Sequence, residues 1–205
     1  MVDATGSMEK WIRSVQNHCI NISNELNSKY PLVSFNFGAI FYRDPIDSPS
    51  DKHDLIQLTD DVIDLKNKIE GIKAYGGGDD PEDWVGAYNL AIDSIAWRNG
   101  TRLIIHIADS PAHGIDFCLK DKHNEENAKL PPLIKTVAEK NIKIYAFQVK
   151  NSAELSFNKC SEFYKSYGGT MFLIKDFNSF SEKEIFDNFN DSIIEAVICA
   201  APKDI

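Results

Sequence analysis

Basic residues are scarce in this chain. Lys and Arg total 22 against 31 Asp and Glu across 205 residues, a formal net charge of -9. A sequence-independent grip on a phosphate backbone is therefore disfavoured, and nucleic acid is not an expected partner. Cysteine is sparse as well. Cys19, Cys118, Cys160 and Cys199 lie far apart with no C-x-x-C spacing, which suggests neither a zinc knuckle nor a redox pair. Three of them fall on apolar helix faces, where a buried free thiol is the ordinary explanation. The expectation is a reducing compartment, the cytoplasm. Sequons start at Asn21, Asn99 and Asn190, but an Asn-rich chain generates such triplets by chance. No secretory leader is read ahead of Asp3, and no apolar run approaches the roughly 20 residues that span a bilayer. Internal repeats, linkers and low-complexity segments are missing. So are the phosphate-cradling patterns G-K-[ST] and G-x-G-x-x-G, so kinase chemistry is not expected from this chain itself.

What is present is enough apolar material for a sizeable core: 43% hydrophobic and 11% aromatic residues, in a length that suits one domain, residues 1–205. Trp11, Ile12, Val15, Cys19, Ile22 and Leu26 recur at helical spacing, and the helix is expected to end before Tyr30-Pro31. Leu32 to Tyr42 reads as a strand, "HDLIQLT" as a shorter one and Asp60 to Ile72 as a short helix. Glu82 to Trp97 carries a second amphipathic pattern. "TRLIIHIADS" is a near-continuous apolar run, as for a strand buried on both faces of a parallel sheet. A helix from Pro132 to Lys140, the strand "IKIYAFQV", a helix from Ala153 to Tyr167, the strand "TMFLI" and a closing helix from Ser181 to Cys199 follow. The alternation predicts an α/β fold with a doubly wound, mostly parallel central sheet and helices on both faces. Met1 and Val2 alone remain for the strand leading into Asp3. A first strand that short is expected to leave a groove in the sheet, as in a domain cut from a longer protein or a truncated gene product.

Three acidic stretches sit where strands hand over to helices: Asp3-Ala4-Thr5-Gly6-Ser7, Gly76-Gly77-Gly78-Asp79-Asp80 and Ala108-Asp109-Ser110-Pro111. In a doubly wound sheet such loops converge on one edge. Like charges gathered there repel, and a cation would resolve the repulsion. The donors are all oxygen, which suits a hard ion such as Mg²⁺, Mn²⁺ or Ca²⁺ and not Zn²⁺. In an extended segment residues two apart project to one side, so Asp3, Thr5 and Ser7 can face one ion together.

These loops resemble the von Willebrand factor type A (vWA) domain. Its metal-ion-dependent adhesion site (MIDAS) is written D-x-S-x-S, with a Thr or Asp in a second loop and an Asp after a buried strand in a third. "DATGSM" matches with Thr5 in place of Ser, which keeps the hydroxyl. "GGGDDPED", "IIHIADSPAHG" and "FGAIFYRD" are most similar to the A domains found beside alpha-type protein kinases, and the resemblance runs from Asp3 to about Val149. It implies a Rossmann-like vWA fold with its first strand truncated. It also implies that Thr5 and Ser7 ligate the metal directly while Asp3 and Asp109 act through water or hydrogen bonds. Asp79 takes the second-loop position, with Asp80 as the competing choice. A direct carboxylate there weakens the ion's pull on an outside acid. The implied function is binding, not catalysis: an Asp or Glu of a partner protein fills the ion's open position, with a kinase or another domain as neighbour in a longer protein.

The alternative is an aspartyl-phosphate enzyme of the haloacid dehalogenase kind, because "DATGS" is also close to D-K-T-G-T. Asp3 would then be the nucleophile and Mg²⁺ would neutralise the phosphoryl group. That chemistry wants a late acidic pair, whereas Asp79 and Asp80 precede the "IIHIAD" strand. Blander readings apply elsewhere. "GGGDDPED" also reads as a turn whose acids favour a helix dipole, and Thr5 or Ser7 as a helix cap. His106 and His113 flank the third loop and tempt a zinc reading, but His106 lies inside an apolar strand and reads as a core residue; His18, His53 and His123 read as surface, and Arg43 as a turn or surface residue. Ile185, Phe186, Phe189, Ile193 and Val197 read as the buried stripe of the closing helix.

Overall fold

The computed structural model describes residues 1–201. Six strands form one sheet: β1 (Val2–Asp3), β2 (Phe37–Tyr42), β3 (Asp54–Thr59), β4 (Arg102–Ala108), β5 (Ile142–Gln148) and β6 (Phe172–Asp176). Their order is β3-β2-β1-β4-β5-β6, and only the β2–β3 pairing is antiparallel. Six α-helices cover it: α1 (Glu9–Lys29), α2 (Val62–Glu70), α3 (Trp84–Asn89), α4 (Leu130–Glu139), α5 (Glu154–Ser166) and α6 (Glu182–Ala200). This is the mostly parallel α/β architecture expected from the alternating pattern.

Strand periodicity sorts the core into two layers. Along β4 and β5, Ile104, Ala108, Ile142, Ile144 and Ala146 face Trp84, Tyr88, Leu130, Ile134 and Phe157 of α3, α4 and α5. Ile107, Tyr145 and Phe147 face Trp11, Ile12, Leu26, Leu65 and Phe189 of α1, α2 and α6. His106 is fully buried in the first layer. Its Nε2 lies 2.9 Å from the Tyr42 hydroxyl, its Nδ1 3.3 Å from the Tyr88 hydroxyl, and its ring 4.4 Å from that of Trp84. It is a satisfied core histidine, as read from the sequence.

Several boundaries differ from expectation. β2 begins at Phe37, five residues later than the apolar run, because Tyr30 and Val33 close a turn after α1. The pattern from Glu82 to Trp97 is split: α3 is followed by a π-helical turn over Leu90–Ser94, and Ile95 is extended. β1 is two residues long, so Val2 pairs with Phe41 and Ile107 while the lower parts of β2 and β4 stand apart. A cleft of about 1420 Å³, lined by Met1, Phe37 to Ile40 and Arg102 to Ile105, occupies that part of the sheet.

Some side chains also depart from the reading. Arg43 is fully buried. It donates to Lys52 O at 2.5 Å, Asp54 Oδ2 at 2.9 Å and Lys73 O at 2.8 Å, and it stacks 4.0 Å from the Tyr75 ring. It pins three chain segments at the end of β2, because a guanidinium is the side chain that can serve several acceptors from one buried point. Phe186 is partly exposed and packs against His18 of α1, rings 4.6 Å apart. All four cysteines are free; Cys160 is buried and Cys199 exposed.

Candidate metal centre

The chain diverges where β1 and β4 lie side by side. β1 leads to α1 on one face and β4 to α4 on the other. A crevice at the carboxyl ends of these strands is the consequence, and ligands of open α/β sheets bind in such crevices.

The first loop follows Asp3, which is fully buried. Its Oδ1 accepts from the Thr5 backbone N–H at 2.9 Å and from the Thr5 hydroxyl at 2.7 Å. Its Oδ2 is buried without a partner. Thr5 is extended and Gly6–Met8 forms one 3-10 turn, with no side-chain cap on that turn or on α1. Capping therefore does not account for the hydroxyls. Ser7 is exposed and shares a small cavity, about 160 Å³, with Lys10, Asp109 and Lys150.

The second loop is fastened onto the first by its backbone. Tyr75 N–H donates to Ala4 O at 3.1 Å, and Gly6 N–H to Gly76 O at 3.3 Å. Gly77 sits at φ +80°, where a Cβ would stand 3.0 Å from Glu82 Oε1 and 3.1 Å from Thr5 Cβ. Glycine permits that conformation and that approach. Asp79 and Asp80, further along, are exposed. Asp79 groups with Asp44 and Asp47, whose carboxylate oxygens lie with its own within 4.8 Å of one another. Burial first, then the charge of Asp47, raises the Asp79 carboxyl above its ordinary value.

Glu82 is the acid from this loop that stands beside Asp3. It is 1% exposed. Its N–H donates to Pro111 O at 2.9 Å and it bridges to Ala112, which locks the second loop to the third. Its Oε2 is buried without a partner. Asp83, not Glu82, caps α3, accepting from Gly86 N–H at 2.6 Å. An acid immediately before a cap lies outside the helix and is free to point back into the crevice. An acid one residue ahead of the capping Asp83 is the sequence signal for this placement.

In the third loop Asp109 is 1% exposed. Its Oδ2 pairs with the Lys150 ammonium, its Oδ1 accepts from the Ser110 hydroxyl at 3.3 Å, and its carbonyl accepts from Ser152 at 2.6 Å. Thr5 hydrogen-bonds Asp3, the charge of Asp109 acts on Asp3, and Ser7 is exposed nearby.

The electrostatics are unfavourable without a cation. Burial, reinforced by the charge of Asp109, raises the Asp3 carboxyl above its usual range. Burial again, then Asp3, Asp44 and Asp109, raises that of Glu82. Lys150 neutralises one acid of the three. Each orphaned buried oxygen costs about 1–3 kcal/mol, which a bound dication would offset. The donor set fits a hard cation, since the carboxylates and hydroxyls present offer oxygen alone.

Comparison with known proteins bears on this geometry. The family described as von Willebrand factor A domain matches residues 1–166. The chain is 33% identical over 150 residues to the alpha-protein kinase vwkA of Dictyostelium discoideum, covering 71% of this chain and 24% of that protein. It is also 33% identical over 114 residues to a putative ariadne-like RING finger protein, R811, of Acanthamoeba polyphaga mimivirus, covering 55% of this chain and 11% of that protein. The chain therefore spans a quarter or less of these relatives' lengths. The aspartyl-phosphate alternative finds no support in these matches. With the match over residues 1–166 and the sheet order described above, the chain belongs to the von Willebrand factor A domain family.

Proposed function

We propose that residues 1–205 act as one vWA domain, a protein-interaction module that recognises an acidic side chain through a divalent cation. Asp3, Thr5, Ser7 and Asp109 hold the ion, and Glu82 rather than Asp79 supplies the acid of the second loop. Mg²⁺ is the first choice, with Mn²⁺ and Ca²⁺ as substitutes. The observation that carries this reading is the pair of buried oxygens without partners, Asp3 Oδ2 and Glu82 Oε2, from two loops that share one crevice.

The chain's own residues set what the ion can do. Lys150 compensates Asp109, so the site keeps less negative charge than three free acids would give it, and the ion retains attraction for an Asp or Glu of a partner. Such a charge-assisted contact, once desolvated, can dominate affinity. The net charge of -9 repels acidic partners at a distance. Association is then slow, and affinity depends on the metal at contact. The reading is of a binding module and not an enzyme. The similarity to the Dictyostelium alpha-protein kinase supports a place beside an alpha-type kinase in a longer protein. No helix among the described residues is long and apolar enough to cross a membrane. Four free thiols favour a reducing location such as the cytoplasm.

The test is thermal unfolding with millimolar Mg²⁺ and with chelator, followed by titration of an acidic peptide under both conditions. At a hundredfold excess over Kd the ion adds about 2.7 kcal/mol, or about 5–10 °C for a domain of this size. Asp3→Ala and Asp109→Ala should abolish the shift. A response unchanged in both variants would overturn the assignment, and peptide binding equally strong in chelator would overturn the metal-dependent function.

A further inference from the structure

A second group of side chains lies on the loops after β2 and β4. Asp44 and Asp47 come from the first of these loops and His113, Asp121 and His123 from the second, with Glu125 just beyond. Asp47, His113 and His123 offer one donor atom each within 4.8 Å of one another, and Asp44, Asp47 and Asp79 do the same. His113 Nε2 stands 3.1 Å from Asp44 Oδ1 and 3.9 Å from Asp47 Oδ2. His123 Nε2 stands 3.1 Å from both oxygens of Asp47. A tetrahedral ion with bonds of about 2.0–2.1 Å has donors about 3.3 Å apart. The observed separations bracket that edge length.

The outward nitrogens are held as well. His113 Nδ1 lies 3.3 Å from both oxygens of Asp121, and His123 Nδ1 3.3 Å from Glu125. Both ring nitrogens of each imidazole thus face carboxylates, which favours the protonated form, and an ion binds at Nε2 by displacing a proton. A carboxylate behind each ligating imidazole is the arrangement that orients histidine toward a metal. Charge supports the same reading. Among the described residues no Lys or Arg forms an ion pair with Asp44, Asp47, Asp79, Asp121 or Glu125, and the side chains of Asp44 and Asp121 are buried. Five carboxylates thus share two imidazoles.

From this geometry we infer that the loops after β2 and β4 form a second metal site, with His113, His123 and Asp47 as protein ligands and water completing four-coordination, for a borderline transition-metal ion, Zn²⁺ first. Two nitrogens with carboxylate oxygen suit Zn²⁺ and its neighbours better than Mg²⁺. Asp47 and His123, 33% and 25% exposed at the side chain, give the ion a route in. Such an ion staples two long loops that frame the crevice. Its ligands are distinct from those of the Asp3 centre, and Asp44 links the two through its charge on Glu82.

The probe is Co²⁺, added to the chelator-stripped full chain, with Zn²⁺ in competition. One equivalent should bind with the visible absorption of a four-coordinate site. Zn²⁺ should displace it and shift the imidazole proton resonances of His113 and His123 in the unmutated protein. Asp47→Ala and His123→Ala alter partly exposed side chains and should weaken binding at least about tenfold, with unchanged far-ultraviolet circular dichroism in chelator, whereas Asp3→Asn should leave it intact. An unmutated protein with no four-coordinate Co²⁺ band and no imidazole shift would overturn the assignment. So would a double variant, Asp47→Ala with His123→Ala, that binds as tightly as the parent.

Discussion

Lys150 gives the proposed Mg²⁺ centre a test with an unusual sign. Its ammonium is the cation on Asp109, and the two side chains are unequally exposed, 54% for Lys150 and 1% for Asp109. Lys150→Met keeps most of the stem and removes the charge. The 3–5 kcal/mol reported for fully buried pairs does not apply to a half-exposed lysine, and the value for exposed pairs is at most about 1 kcal/mol. About 1 kcal/mol is therefore the reasonable loss in chelator, lowering the melting temperature by about 2–4 °C. With Mg²⁺ present the ion no longer shares Asp109 with a competing cation. The same 1 kcal/mol then appears as about fivefold tighter binding. The variant is less stable than the parent without metal and regains that loss as the ion saturates. Differential scanning calorimetry in chelator and in millimolar Mg²⁺, with isothermal titration for Kd, reads both halves. A variant destabilised equally in the two conditions, with Kd unchanged or weaker, would refute the sharing of Asp109.

Two further outcomes follow from the same structure. Arg43→Lys replaces a fork by a point charge and leaves at least one of the Lys52 and Lys73 carbonyls without its donor; urea unfolding should show a loss of about 2–4 kcal/mol at unchanged slope. A loss below about 1 kcal/mol would refute the pinning role, since surface substitutions stay within about 0.5 kcal/mol. The pH dependence has a definite sign. Asp3 and Glu82 have carboxyls raised by burial and mutual charge, so in chelator the native state holds more protons than the unfolded chain and their contribution to stability falls as pH rises above the ordinary carboxylate range. The ion needs both groups ionised, so the Mg²⁺-induced rise in melting temperature should be larger at pH 8 than at pH 5.5. A constant or shrinking rise would contradict the participation of these two acids.

The sheet and its helices were legible because burial on both faces leaves a period in the sequence. The run from Arg102 to Ala108 and the spacing of Trp11, Ile12, Ile22 and Leu26 each predicted the element that formed. The split of the Glu82 to Trp97 pattern into α3 and a π-turn was not legible, since both turns show the same apolar face to the core. At the crevice, the placement of Asp3, Thr5 and Asp109 was readable because each sits within two residues of a strand's carboxyl end. Glu82 was not, because its orientation depends on Pro111 and Ala112 from another loop. The burial of Arg43 and the gathering of His113 and His123 with Asp44 and Asp47 also depend on contacts between segments far apart in sequence.

The central claim is that a hard dication is held by oxygens from three loops, and proton relaxation of bound Mn²⁺ tests it most directly, because the paramagnetic ion reports its own coordinated water. In Zn²⁺-saturated protein, which blocks the second site, the parent should bind one Mn²⁺ with an enhanced water relaxation rate that an acidic peptide quenches. The variant carrying Asp3→Asn with Glu82→Gln should show no enhancement. Equal enhancement in that variant, or none in the parent, would contradict the account.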